Sequence, residues 1–245
     1  MTDVQIHRTA DLKKLKNPLI IVGLPGTGLV GSVAASHIVD ALDMSFGGYI
    51  SSSEFAPLAA IHEYKPMPAA RIHFSQKENI VVIISEMTIP VSSSLDVADK
   101  LYEFAKSLNA SSIISLGGIS LHEGKQVVYI VSSDPDMVKR ASKEKIAKPI
   151  REGATTGVTG VLLTKGTLEN FPITTLLAES SEEFLDPKAA SIAVKALSKI
   201  IKMPIKTTRL EKEAEEISEE IKESVIKAKI SKKGPMAEEG GTMYG

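Results

Sequence analysis

The chain has no cysteine and no tryptophan, and only 4% of its 245 residues are aromatic. Without cysteine there is no disulfide framework, no thiolate zinc site and no cysteine nucleophile, which removes several enzyme classes and suits a reducing cytoplasm. An excess of either charge is also missing: 29 basic residues stand against 30 acidic ones. No overall field draws the protein to nucleic acid or to an anionic membrane, and neither is expected as a partner. The five histidines, His7, His37, His62, His73 and His122, show none of the helical spacings that hold zinc, so no metal or other cofactor is expected. The opening residues lack the basic then apolar pattern of a secretory signal, so no export is expected and the cytoplasm is the expected compartment.

What is present is an ordinary globular composition, 43% hydrophobic and 24% charged, long enough for one large domain or two small ones. Glu and Lys outnumber Asp and Arg, and amide side chains are few, a bias seen in hyperthermophiles. The stretch Asn17 to Ser36 carries no charge and has about the 20-residue length of a membrane span. Gly23, Pro25, Gly26, Gly28 and Gly31 would break such a helix in its middle, whereas a strand, a tight turn and a new helix use them all.

Short runs rich in Ile and Val recur through the first 180 residues, as strands covered on both faces require. They are Leu19–Leu24, Gly48–Ser52, Ala70–Phe74, Ile80–Ser85, Ser112–Leu116, Val127–Ser132 and Thr174–Ala178. Helical patterns fall between them at Leu29–Leu42, Leu95–Leu108, Pro135–Lys148, Gly157–Leu168 and Pro187–Ile201. Asp134 before Pro135 and Asp186 before Pro187 read as N-caps followed by a first-turn proline. The alternation predicts an α/β fold, with a mixed, mostly parallel sheet flanked by helices in a Rossmann-like sandwich. Ser-Gln-Lys-Glu-Asn between the third and fourth runs suits a hairpin, which makes the sheet mixed.

The pattern places an α/β core at residues 1–205 and a charged amphipathic helix at 206–230, with apolar Leu210, Ala214, Ile217, Ile221 and Ala228 on one stripe. So narrow a stripe is not stable alone in water, and packing against another subunit is the favoured expectation. Residues 231–245 lack periodicity and read as a flexible tail.

Gly26-Thr27-Gly28-Leu29-Val30-Gly31 fits the dinucleotide fingerprint, since it follows an expected strand and opens an expected helix. Glu54 then stands where a ribose acceptor would be sought. The same glycines also satisfy close strand-to-helix packing, and nothing downstream supplies a hydride-transfer constellation. A phosphate loop fits less well, because Leu29 and Val30 stand where lysine and a hydroxyl are needed. Polar residues at strand ends, Ser51 to Glu54, Ser85, Glu86, Asp134 and Glu179 to Ser181, would line a ligand crevice if the strands are parallel; capping and turn roles are the favoured reading.

The segment Ile20-Ile21-Val22-Gly23-Leu24-Pro25-Gly26-Thr27-Gly28-Leu29-Val30-Gly31, with the strand end Ile84-Ser85-Glu86 and the turn Ser115-Leu116-Gly117-Gly118, resembles the proteasome assembly chaperone 2 family in its archaeal branch. The resemblance covers roughly residues 15–205. It implies an α/β sandwich without an established catalytic role, hence no enzyme, and a chaperone or activator-like function on the 20S proteasome. It also implies a homo-oligomer and admits a related chaperone partner. The carboxyl end, Met243-Tyr244-Gly245, then matches the hydrophobic, tyrosine, any-residue ending by which proteasome activators dock between α-subunits. The alternative is a nucleotide-binding α/β enzyme that uses the Gly26 to Gly31 turn.

Overall fold

The computed structural model describes residues 3–120, 126–180 and 185–217. Its centre is four parallel strands with nearly continuous apolar sequence: β7 (Ile80–Ser85), β2 (Leu19–Gly23), β8 (Ser112–Ile119) and β11 (Ile173–Glu179). Antiparallel strands flank this block on both sides. On one side come β6 (Ala70–Ser75), β3 (Ser45–Ser51) and β1 (Gln5–Arg8), and on the other β9 (Val128–Ser132), with the short β10 (Lys148–Pro149) parallel to it. The result is one nine-stranded mixed sheet in the order β1-β3-β6-β7-β2-β8-β11-β9-β10. The expected hairpin is present, with β6 and β7 paired antiparallel from Ala70↔Ser85 to Ser75↔Ile80.

Both faces of the central strands are covered, so neither needs polar residues. Ile21, Val82, Ile84, Ile114 and Leu176 point to one core, lined by α1 (Val30–Ala41) and α5 (Pro187–Ile201). Their strand neighbours Ile20, Val22, Val81, Ile83 and Ile113 point to the other, lined by α2 (Ser94–Ser107) and α4 (Gly157–Leu168). A strand side chain changes face at every residue, which is why an unbroken Ile/Val run fills two cores at once.

Asp186 accepts a hydrogen bond from Ala189 N at 2.8 Å to open α5, and Asp134 accepts one from Asp136 N at 2.9 Å to open α3 (Pro135–Lys143). The sequence pattern carries α3 on to Lys148, but the helix ends at Lys143. Lys145 is left-handed at φ 54°, and Lys148 precedes a proline, which disfavours the helical conformation there. The uncharged stretch 17–36 is strand, turn and helix, and no helix among the described residues is long and apolar enough to cross a membrane.

Residues 208–217 are helical and begin the expected amphipathic element. Its first turn is docked on this same chain. Leu210 is buried in the α1/α5 core, Arg209 Nη1 lies 2.7 Å from Asp40 Oδ2, and Lys195 Nζ lies 2.7 Å from Glu211 Oε1. The described start of the helix is therefore attached to the core. Ile221, Ala228 and the tail lie outside the described residues.

Candidate functional site

The glycine turn packs on the sheet at Gly31, while Gly26 is exposed with nothing within 4 Å of a Cβ. Gly28 is left-handed at φ 61°, a conformation that favours glycine, and its carbonyl accepts a hydrogen bond from Asp186 N at 3.0 Å. A Cβ on Gly31 would run into the Leu116 carbonyl of β8 and lie 2.6 Å from Leu24 O, and a Cβ on Gly118 would collide with the Thr27 carbonyl. These glycines let the turn, α1 and β8 touch backbone to backbone. Glu54 is not positioned as a ribose acceptor for this turn. Two strands, β6 and β7, separate β3 from β2, which is three strand spacings or roughly 14 Å. Glu54 instead accepts a hydrogen bond from Ser92 Oγ at 3.0 Å.

Of the polar strand ends, Ser51 to Glu54, Ser85, Glu86 and Glu179 fall at the same end of the sheet, because β3, β7 and β11 run in one direction. Asp134 falls at the opposite end, since β9 is antiparallel to β11. Ser85 is buried and donates to Met87 O at 2.6 Å, and its own carbonyl accepts from Ser32 Oγ at 2.7 Å. Ser180 Oγ donates to Asp186 Oδ2 at 3.0 Å, and Ser181 lies outside the described residues. Capping and turn roles account for most of this set.

Glu86 is different. Between β3 and β6 the chain makes a separate hairpin, β4 (Ala59–His62) and β5 (Lys65–Pro68), which pairs with no other strand among the described residues. Beneath it Arg71, only 4% exposed, forms a two-point contact with Glu86: Nη2 to Oε1 at 2.6 Å and Nη1 to Oε2 at 3.3 Å. Arg71 Nη1 also donates to Pro68 O at 3.0 Å. His62 of β4 completes the cluster, its Nε2 lying 2.8 Å from Glu86 Oε1 and 3.1 Å from Arg71 Nη2. As an N–H this nitrogen donates to the carboxylate; as a lone pair it accepts from the guanidinium. Either way the hairpin is tied to the sheet through a charge-assisted network.

This network borders a cleft of about 770 Å³ between the hairpin, the end of α1 and residue Arg209. Asp40, Asp43, Phe46 and His73 also line it. Burial raises the Glu86 carboxyl, but hydrogen bonds from Arg71 and His62, with their charges, outweigh it and hold the group below the ordinary glutamate value. Burial, reinforced by the Arg71 charge, pulls His73 down to about 4. Its ring meets Phe46 edge to face at 5.8 Å, and its Nδ1 has no partner among the described residues. Near neutrality the cleft thus holds an ionised carboxylate already engaged by arginine and a neutral imidazole. That is the chemistry of an anchored structural joint rather than of a poised base and nucleophile.

Two of the remaining histidines have separate partners. His7 stacks on Tyr49 at 4.4 Å and its Nε2 lies 2.8 Å from Ser51 Oγ, while His37 Nε2 is 2.7 Å from Lys206 O. His122 lies outside the described residues, as do Met243, Tyr244 and Gly245. Among the described residues no group of three His, Asp or Glu side chains is arranged to hold a metal ion.

A family model for the PAC2 family matches residues 20–225. The chain belongs to the PAC2 family. Over 217 residues, 86% of each chain, it is 27% identical to the Methanocaldococcus jannaschii protein MJ0106. Among solved structures it is similar to Pyrococcus furiosus PbaA, described as an archaeal homolog of proteasome-assembly chaperone. The TM-score there is 0.83, with 27% identity over 94% of both chains. It is also similar to P. furiosus PbaB, described as an archaeal proteasome activator, at a TM-score of 0.78 and 25% identity, covering 91% of this chain and 98% of that one. The PAC2 assignment agrees with the resemblance carried by the glycine turn, the strand end Ile84-Ser85-Glu86 and Ser115-Leu116-Gly117-Gly118, which was expected as a turn but lies within β8. The Arg71–Glu86–His62 joint of this PAC2 chain had no comparable signal, because its three members lie on separate elements.

Proposed function

We propose that this PAC2 chain is a non-enzymatic factor acting on the proteasome, an assembly chaperone or activator that works as a homo-oligomer in the cytoplasm. The observation that carries the reading is similarity over nearly the whole chain to PbaA, with PbaB agreeing. The packing of the glycine turn is consistent with it, since Gly31 lies against the Leu116 and Leu24 backbone and so serves close packing of helix on strand.

In this reading the chain docks Met243-Tyr244-Gly245 between adjacent α-subunits of the 20S ring. Tyr244 is a rigid amphipathic anchor, Met243 an adaptable apolar one, and the terminal carboxylate pairs with a lysine of the pocket. Native mass spectrometry of the full chain mixed with archaeal 20S particles tests the role: a complex is expected, and its absence at micromolar concentrations counts against the proposal. A parallel calorimetric titration with adenine and nicotinamide nucleotides should be flat. Micromolar binding abolished by Gly28→Val would favour the nucleotide-binding alternative.

A further inference from the structure

The β4–β5 hairpin turns on Glu63 and Tyr64, both with positive φ, 47° and 66°. That is the conformation of a two-residue type I′ turn, in which the flanking residues exchange both ladder hydrogen bonds. The flanking pair is His62 and Lys65, so bonded and non-bonded pairs alternate from there. Ala60 and Met67 form the next bonded pair. Ile61 with Pro66 and Ala59 with Pro68 are non-bonded, and their backbone polar groups point away from the hairpin. Pro66 and Pro68 therefore remove the two outward N–H donors of β5 and leave its ladder to β4 whole.

β4 keeps its outward donors at Ala59 and Ile61. Among the described residues no strand but β5 pairs with β4, and neither amide has a backbone acceptor outside that ladder. Three apolar side chains on or beside this strand are exposed: Leu58 at 51%, Ile61 at 64% and Tyr64 at 100%. On the other face of the hairpin Ala60 is buried, and His62 ties the hairpin to Glu86.

We propose that β4 pairs antiparallel with β4 of a second copy of this chain, forming a sheet of order β5-β4-β4-β5 across a two-fold axis. Three observations favour a second copy. An axis through Ala60 sets Ala59 of each copy against Ile61 of the other, so the same two residues supply donors and acceptors on both sides. From Ala56 to Ile61 the edge carries no charge, so two copies meet without repulsion. The prolines then lie on both outer edges and stop further strand addition, which closes the pairing instead of letting it propagate. This gives one interface of the homo-oligomer proposed above and rests on that reading.

The absence of cysteine makes the test clean. At the two-fold, Ala60 of each copy forms a non-bonded pair with Cα atoms about 4.5 Å apart, within disulfide range. Full-length Ala60→Cys should oxidise to a covalent dimer, whereas Val91→Cys, on the exposed approach to α2, should not. Ala59→Pro removes one outward donor in the way Pro68 does on the facing strand, and should lower the sedimenting mass about twofold with unchanged circular dichroism. Should Ala59→Pro fail to fold, amide exchange in the unmodified protein decides: Ala59 and Ile61 must be protected at concentrations where the oligomer forms. An oligomer whose Ala59 and Ile61 amides exchange rapidly, and whose Ala60→Cys variant does not cross-link, overturns the β4 pairing and leaves the homo-oligomer reading standing. A monomer at every concentration overturns both. Protection that appears only after 20S particles are added also overturns the pairing, since it assigns the edge to another protein.

Discussion

Arg71 and Glu86 sit diagonally across the β6–β7 hairpin. Arg71 pairs in register with Ile84, and Glu86, two residues further on, swings back so that its Oε1 lies 2.6 Å from Arg71 Nη2. The diagonal brings a buried guanidinium under the β4–β5 hairpin, where it also holds Pro68 O. Removing it leaves a partly buried carboxylate with only His62. Arg71→Met should therefore destabilise the fold by about 3 kcal/mol, the lower end for breaking a buried ion pair, because Glu86 keeps 25% exposure. Urea unfolding measures the loss, and amide exchange should accelerate first in β4 and β5. The double variant with Glu86→Leu should recover part of it; equal losses in the single and double variants would mean that the pair is not coupled.

His73 predicts a pH dependence of definite sign. Its folded value of about 4 lies below the ordinary 6.5 because of burial and the Arg71 charge, with the Met44 backbone and Asp40 opposing and the ring of His62 adding a little. The native state resists a proton that the unfolded chain accepts. Stability is thus complete above 6.5, falls as pH drops from 6.5 toward 4, and levels off below. Glu86, also lowered, adds a second loss as pH falls below its ordinary value of 4.5 and through its folded value. Urea midpoints across this range should show both steps. His73→Phe should flatten the first and leave the second; a first step that persists in that variant would remove His73 as its source.

The glycine turn can be dissected by stability alone. Ala at Gly31 or Gly118 meets backbone carbonyls, which cannot rotate away, so each should cost about 3 kcal/mol, the upper end for overpacking. Gly26 has extended backbone and nothing within 4 Å of a Cβ, so Gly26→Ala should change stability by less than about 0.5 kcal/mol. Thermal unfolding that ranks all three alike would contradict the packing described for Gly31 and Gly118.

Legibility followed the local signals. The central strands are apolar over their whole length and cannot be mistaken for exposed edges, so β2, β7, β8 and β11 and the helices between them were readable within a few residues. Asp134-Pro135 and Asp186-Pro187 carry their capping chemistry in the sequence itself. The β4–β5 hairpin was not readable. Its turn is Glu63-Tyr64, which lacks the glycine or asparagine that normally marks two left-handed residues, and Pro66 and Pro68 argue against a strand unless the facing register is known. β1 carries no strand signal in the sequence, because Gln5-Ile6-His7-Arg8 is an edge strand with one apolar residue. For the same reason the Arg71–Glu86–His62 joint stayed hidden: its members are brought together by strand register and by the hairpin, not by spacing along the chain.

Met243 and Tyr244 carry the proposed contact with the proteasome, and they lie beyond every element that builds the core. Tyr244→Ala, or deletion of residues 243–245, should leave unfolding temperature and oligomer mass unchanged while weakening binding to immobilised 20S particles at least tenfold, about 1.4 kcal/mol. One tail alone should bind weakly, because ordering it costs about 1–2 kcal/mol per residue. Useful affinity then comes from several tails presented together, whose linkage raises the effective concentration at the ring. Residues 231–245 span roughly 50 Å when extended, at about 3.3 Å per residue, so reach does not limit docking. The combination makes a further demand: Ala59→Pro, which leaves the motif intact but is expected to halve the oligomer, should also weaken binding to the ring. Rapid trypsin cleavage at Lys232 or Lys233 reports whether the tail is accessible. An accessible tail that fails to bind 20S particles in surface plasmon resonance at low salt would show that the ending is not the docking element, whatever the oligomer does.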